Sequence, residues 1–243
     1  AVILPSEFID INRPVCYILR CYSEFGGARM AKRGDVTREK ILQATEDLIL
    51  ESGFSATSID RVLESTGLTK GAFFYHFKNK EALTRAVIDR YSRREQLQIT
   101  AVLDRARNMT RDPLQQLLIC IGLLIEGMET EIREAGRLNP GCLYGSYAYE
   151  LPVVDSEARQ TMRETVVAWR TAIRRQLDRI VERYPLRSEV DLDTLADNLL
   201  AVLEGGLILG RLLDDAQQTI EQLKLYRNHV ELLFSSPREG ARS

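Results

Sequence analysis

From Thr37 onward, apolar residues recur at steps of three and four almost without interruption, a period that belongs to α-helix and not to strand. Ile41, Ala44, Leu48 and Ile49 mark one face of a first helix, and Gly53 stands where a left-handed residue ends it. Thr57-Ser58-Ile59-Asp60 reads as a capping start, with the Thr57 hydroxyl taking an orphan amide and Asp60 in the first turn. The second helix runs to about Ser65, with Ile59, Val62 and Leu63 inward. Gly67 permits a tight turn, and Thr69 caps a very short third helix ending near Phe77. Two short helices joined by such a turn form a helix-turn-helix.

Asn79 caps a long fourth helix that continues through Leu83, Val87, Tyr91 and Val102 to about Arg107. Asp112-Pro113 is a further start signal, and "LLICIGLLIEGM" in the helix that follows is apolar nearly all round, as an interior helix must be. The turn-rich stretch "LNPGCLYGSYAYELPVVD" admits a short helix around Leu143 to Tyr149. A stripe of Met162, Val166, Trp169, Ile173, Leu177, Ile180 and Tyr184 follows, stopped by Pro185. Two last helices span about Asp191 to Leu213 and Gln217 to Phe234. No strand pattern and no internal repeat occurs, so the expected fold class is all-α. The expected divisions are 30–83 for the helix-turn-helix domain, 84–236 for a second helical domain and 237–243 for a tail. Residues 1–29 lack any period and read as a disordered or non-native extension ahead of a start at Met30.

Composition qualifies this picture in one place. The net charge is only -2, which by itself speaks against nucleic acid, yet Arg29 to Arg94 carries 13 Lys/Arg against 9 Asp/Glu. The basic part is the helix-turn-helix part. Cys16, Cys21, Cys120 and Cys142 form no CxxC pair, which fits a reducing, cytoplasmic compartment and indicates neither disulfides nor zinc. No apolar run reaches the roughly 18 residues of a membrane span, so no membrane partner is expected. G-x-S-x-G, P-loop, dinucleotide and H-E-x-x-H signatures are lacking, and the only histidines are His76 and His229. The expectation is a protein that is no enzyme and needs no cofactor or metal.

The chemistry concentrates in "LTKGAFFYHFKNKEAL", residues 68–83. The second helix of a helix-turn-helix enters the major groove of double-stranded DNA, its N-terminal residues at base edges and its amides toward phosphate. Gly71 and Ala72 let the backbone approach closely, and Thr69 and Lys70 offer donors to bases or phosphate. Phe74, Tyr75 and His76 are consecutive and splay across about 200° of helix, so some face outward while Phe73 and Phe77 are core. An apolar ring meets a thymine methyl, and Tyr75 and His76 donate to phosphate. Lys80 adds charge at the next helix start.

Residues 37–83, "TREKILQATEDLILESGFSATSIDRVLESTGLTKGAFFYHFKNKEAL", resemble the N-terminal domain of the tetracycline-repressor (TetR) family of bacterial transcription regulators. The family pattern "G(F/Y)xxTS(I/V)" followed by "GxSxGxxYxHFxxKexL" is matched nearly throughout. Thr69 replaces a common Ser, and Phe74 lacks the hydroxyl of a common Tyr. "GCLYGSYAYEL" is similar to the "GCLxxNxAxEL" stretch of one effector-domain subgroup. The resemblance implies DNA contacts from Thr57, Ser58, Thr69, Lys70, Gly71, Ala72, Phe74, Tyr75, His76 and Lys80. It also implies a homodimer on a palindromic operator, released when a small-molecule effector fills a pocket. The apolar run "NLLAVLEGGLILGRLL", with Gly205-Gly206 for close approach, places the dimer contact on the last two helices. Pocket candidates are the polar or aromatic groups stranded in apolar surroundings: Glu126, Cys142, Tyr144, Tyr147 and Trp169. Two alternatives stay open: a redox or electrophile sensor acting through Cys142, and an architectural DNA-binding protein without effector.

Overall fold

Asp35 sits in the first turn of helix α1 (Arg33–Ser52), which begins four residues before the apolar period does. The structure, a computed structural model, is described over residues 33–135, 141–150 and 154–234. The readings made for 1–29 and for the tail lie outside these. After α1 come α2 (Ile59–Thr66), α3 (Lys70–His76), α4 (Lys80–Met109), α5 (Pro113–Ala135), α6 (Leu143–Ala148), α7 (Ser156–Arg183), α8 (Leu192–Leu213) and α9 (Gln217–Leu233). Among the described residues the only extended pairing is an isolated antiparallel bridge between Leu186 and Phe234, so the all-α expectation holds. No described helix is long and apolar enough to cross a membrane.

The local signals act as their chemistry requires. Gly53 (φ 85°) and Gly67 (φ 68°) take the left-handed conformation that ends α1 and α2. Thr69 and Asn79 cap α3 and α4 by accepting the amides of Ala72 and Ala82. Asp112 accepts the amides of Leu114 and Gln115 at the start of α5. One cap is corrected. Ser58, not Thr57, caps α2 by accepting from Arg61 N, and the Thr57 hydroxyl turns inward to donate to the Gly53 carbonyl at 2.9 Å.

Two hydrophobic cores result. The first gathers Ile41, Ile49, Phe54, Val62, Phe73 and Phe77 with Leu83, Val87, Ile88 and Tyr91 from the front half of α4. It also recruits residues far along the chain: Leu143 and Tyr147 of α6, Val154, and Ala158 and Met162 of α7. The second core joins Ile99, Val102, Leu103 and Ala106 of α4 to α5, the rear of α7, α8 and α9. Ion pairs fasten α1 to α4, where the buried Glu46 carboxylate receives Arg90 at 2.7 Å and Arg94 at 2.6 Å.

The two glycines assigned to a dimer contact part company. A methyl on Gly206 would lie 2.7 Å from the Thr219 Cα of α9, so this close approach is made within the chain. A methyl on Gly205 meets nothing within 4 Å. Gly206→Ala gains about 1 kcal/mol of helix propensity but forces α9 away at a cost of about 1–3 kcal/mol. Thermal unfolding is expected to show a lower midpoint for Gly206→Ala and an equal or higher one for Gly205→Ala.

Candidate DNA-reading surface and effector cavity

Helix α3 is held from behind by Phe73 and Phe77, both buried, with ring centroids 5.9 Å apart. That anchoring sets the opposite face. Phe74 stands edge-on to Phe73 at 5.3 Å yet is 50% exposed, and Tyr75 is 82% exposed, so two large aromatic surfaces face water. Gly71 and Lys70 are exposed beside them and Ala72 is half-buried. The Lys70 ammonium lies 3.1 Å from Asp60, an exposed pair that contributes little and exchanges readily for a phosphate. His76 is half-buried with its ring edge-on to Tyr75 at 4.9 Å. Ser58 is exposed, with its oxygen committed to its cap.

Two expected DNA contacts are repositioned. Thr57 is 2% exposed and its hydroxyl is spent inside the domain. Lys80 folds back: its ammonium donates to the Phe54 carbonyl at 2.9 Å and lies 4.2 Å from the Phe54 ring centroid. Burial pulls this amine below the usual lysine range, against Glu150 and Glu81, which raise it. Lys80 ties α4 to the α1–α2 loop. An apolar backbone neighbourhood won over the exposed helix start that the sequence spacing offered.

A cavity of about 150 Å³ opens where α4, α5, α6, α7 and α8 meet. Cys142, Tyr144 and Trp169 line it, as do Leu124, Met128 and Val166. The other two pocket candidates do not. Glu126 is exposed on the outer face of α5. Tyr147 is fully buried on the far side of α6, its ring 5.1 Å from Phe54. Leu143 and Tyr147, four apart, share the face of α6 that enters the DNA-reading domain, while Tyr144, about 100° round the helix from Leu143, reaches the cavity.

The polar lining is what the sequence reading missed: Tyr91, Glu95, Gln98, Glu131 and Glu204. Glu204 had a legible signal, a lone charge in "NLLAVLEGGLILG". Glu95 sits in the charged run "SRREQ", where nothing in the spacing separates it from its neighbours. Gly145 makes room for Glu204, since a methyl there would stand 2.9 Å from its carboxylate. Tyr144 shares a 2.7 Å hydrogen bond with Ser92, and its ring meets Tyr91 edge-on at 5.1 Å. Burial pushes the Cys142 thiol up to about 12, with Glu204 adding to the effect. Such a thiol stays protonated and is a poor nucleophile.

The same short helix carries a second connection. At its end, Glu150 accepts the amides of Phe54 at 2.9 Å and Ser55 at 2.8 Å, as well as the Ser55 hydroxyl. Arg211 of α8 donates to the Glu51 carbonyl at 3.0 Å. The α1–α2 loop is thus clamped by groups that belong to the cavity-forming half.

Burial pushes Glu95 up to about 7; Arg94 pulls it down, while Glu46 and Glu204 push it further up. An unfolded carboxyl titrates near 4.5. Between those values the folded chain holds a proton that the unfolded chain has lost, so stability falls as pH rises through this window and the cost is complete above about 7. Glu95→Gln is expected to match the parent at pH 4.5 and to exceed it by about 2 kcal/mol at pH 8, read from denaturant unfolding at both values.

Comparison with known proteins bears on both halves. Residues 41–87 match the family of bacterial regulatory proteins, tetR family, and residues 113–224 match the tetracyclin repressor-like C-terminal domain. The chain is 32% identical over 175 residues to the HTH-type transcriptional repressor BepR of Brucella suis biovar 1, covering 70% of this chain and 78% of BepR. It is 23% identical over 171 residues to the HTH-type transcriptional repressor DhaR of Mycobacterium sp. strain GP1, covering 70% of this chain and 80% of DhaR. A crystal structure of a TetR-family transcriptional regulator from Agrobacterium tumefaciens superposes with a TM-score of 0.67 at 21% identity, covering 84% of this chain and 100% of that one. With a helix-turn-helix presenting its short helix outward, and with both halves matched in chain order, this chain belongs to the TetR family of helix-turn-helix transcriptional regulators.

Proposed function

We propose that this chain is a ligand-responsive transcriptional repressor that binds a palindromic operator as a homodimer in the cytoplasm and is released by a small molecule in the cavity. The observation that carries it is the double membership of α6. Cys142 and Tyr144 wall the cavity while Leu143, Tyr147 and Glu150 are built into the DNA-reading domain. A ligand that displaces the cavity side of so short a helix must move the other side, because packed interfaces switch between arrangements and do not stretch. Repression accords with BepR and DhaR, both transcriptional repressors.

The dimer is supported by unpartnered apolar surface. Ile208, Leu209, Leu212 and Leu213 of α8 and Leu225 and Leu232 of α9 are all more than 40% exposed. Large aliphatic side chains concentrated on two adjacent helices mark an association surface. A symmetric dimer carries two α3 helices and reads two half-sites about one helical turn apart, roughly 34 Å. The protonated Cys142 thiol weighs against a redox or electrophile sensor, and the cavity weighs against a purely architectural role.

Footprinting on the DNA flanking the gene tests the reading, with two protected half-sites expected. On that operator, Lys70→Ala is expected to reduce the log-log salt dependence of binding by about 0.9 per half-site. An unchanged slope would remove Lys70 from the phosphate contacts. Lys80→Ala, in contrast, is expected to lower the unfolding midpoint.

Glu150→Ala leaves two amides of the α1–α2 loop without their acceptor. The expected result is a loss of operator affinity of about 5- to 50-fold by fluorescence anisotropy, equivalent to about 1–2 kcal/mol. Faster hydrogen exchange at Phe54 and Ser55 is expected alongside. Parental affinity would show that the clamp does not set the pose of the DNA-reading domain.

A further inference from the structure

The cavity has a sign. Its described lining includes the Glu95 and Glu204 carboxylates, which face each other's side of the space, and no lysine, arginine or histidine. The nearest cation to Glu95 is Arg94, whose guanidinium is turned away to Glu46 at 2.6 Å and lies 4.8 Å from the Tyr91 ring centroid. No described basic side chain forms an ion pair with Glu95 or Glu204, and the partner of Glu204 is the weakly donating Cys142 thiol. Glu95 and Glu204 are both half-buried, and a carboxylate partly withdrawn from water ordinarily comes with a partner, because desolvation without one costs free energy.

The remaining walls say what shape of partner fits. Tyr91, Tyr144 and Trp169 contribute aromatic rings, and leucines of α8 close the rest. Ring faces attract a positive group at close range, more strongly once water is excluded. A metal ion is a poorer candidate, since no three of the described His, Cys, Asp and Glu side chains converge as a metal needs. A volume of about 150 Å³ is that of a cavity that holds a benzene-sized molecule.

We infer that the effector of this cavity is a compact organic monocation, an amine or quaternary ammonium on a small apolar body, held between the Glu95 and Glu204 carboxylates and the Tyr91, Tyr144 and Trp169 rings. This rests on the reading of the cavity as the effector site and adds the ligand's charge and size. The elevated proton affinity of Glu95 accords with it, for a carboxyl that retains a proton for want of a cation gives the proton up to one.

Trp169 is the only tryptophan in the chain, so its fluorescence reports the cavity directly. The full chain is titrated with benzyltrimethylammonium, with neopentylbenzene as its neutral isostere, and with phenylacetate as an anion of similar size. The cation is expected to bind at least tenfold more tightly than either of the others. Glu95→Gln and Glu204→Gln are each expected to weaken the cation fivefold or more while leaving neopentylbenzene unchanged, with melting curves recorded for both variants. Equal or tighter binding of phenylacetate or neopentylbenzene, cation binding indifferent to both substitutions, or no response to any probe overturns the inference. Operator anisotropy with each probe separates the two levels. If phenylacetate saturates the Trp169 signal and releases operator, the effector cavity stands and its cationic preference falls. If compounds saturate the signal and none alters operator binding, the switch itself falls.

Discussion

A single 30-residue helix, α4, has to satisfy two hydrophobic cores at once, and the geometry of the rest follows from that. Its front half buries Leu83, Val87, Ile88 and Tyr91 among the DNA-reading helices, and its rear half buries Ile99, Val102, Leu103 and Ala106 in the core built with α5, the rear of α7, α8 and α9. A continuous helix has no joint at which the two cores could be adjusted separately. At about 1.5 Å per residue it is roughly 45 Å long, a rigid rod on the scale of the whole molecule. The cavity lies at the changeover, where Tyr91 still belongs to the first core and Glu95 already faces the second.

Polar groups do their work at this changeover because neither core can fill it. Glu46 is matched by two arginines of α4 and closes the seam on one side. Glu95, one residue beyond Arg94 and therefore about 100° around the helix, receives no such partner. The contrast between the buried Glu46 and the half-buried Glu95 is one of pairing. The paired acid fixes α1 to α4. The unpaired one lines the cavity, and burial raises its pKa to about 7.

The α1–α2 loop answers to both halves of the chain. Its backbone amides at Phe54 and Ser55 are taken by Glu150 and its carbonyl at Phe54 by Lys80, while Arg211 holds the last turn of α1 beside it at the Glu51 carbonyl. Hydrogen bonds to charged groups contribute more than neutral ones, and those of Phe54 with Glu150 and Lys80 are partly shielded from water. These three charged side chains tie the end of α1 and the α1–α2 loop to α4, to the segment after α6 and to α8. Lys80 is part of that fastening, which explains why its charge is turned from the exposed face where the helix start would have left it.

The helices, their caps and the recognition helix were legible in the sequence because each rests on neighbours within four residues. Periodicity reports a local repeat, and Gly53, Gly67, Thr69, Asn79 and Asp112 act through backbone groups adjacent in the chain. Phe73 and Phe77 were separable from Phe74 and Tyr75 for the same reason, since four residues make one helical turn. The cavity was legible only in part. A lone glutamate in an apolar run is the same signal at Glu126 and at Glu204, yet one faces solvent and the other the cavity, because the packing of α5 against α9 and of α8 against α6 decided which face was covered. Glu150 and the inward turn of Lys80 depend on partners 26 to 96 residues away. Contacts at such separations leave no period in the chain, so only the tertiary structure could decide them.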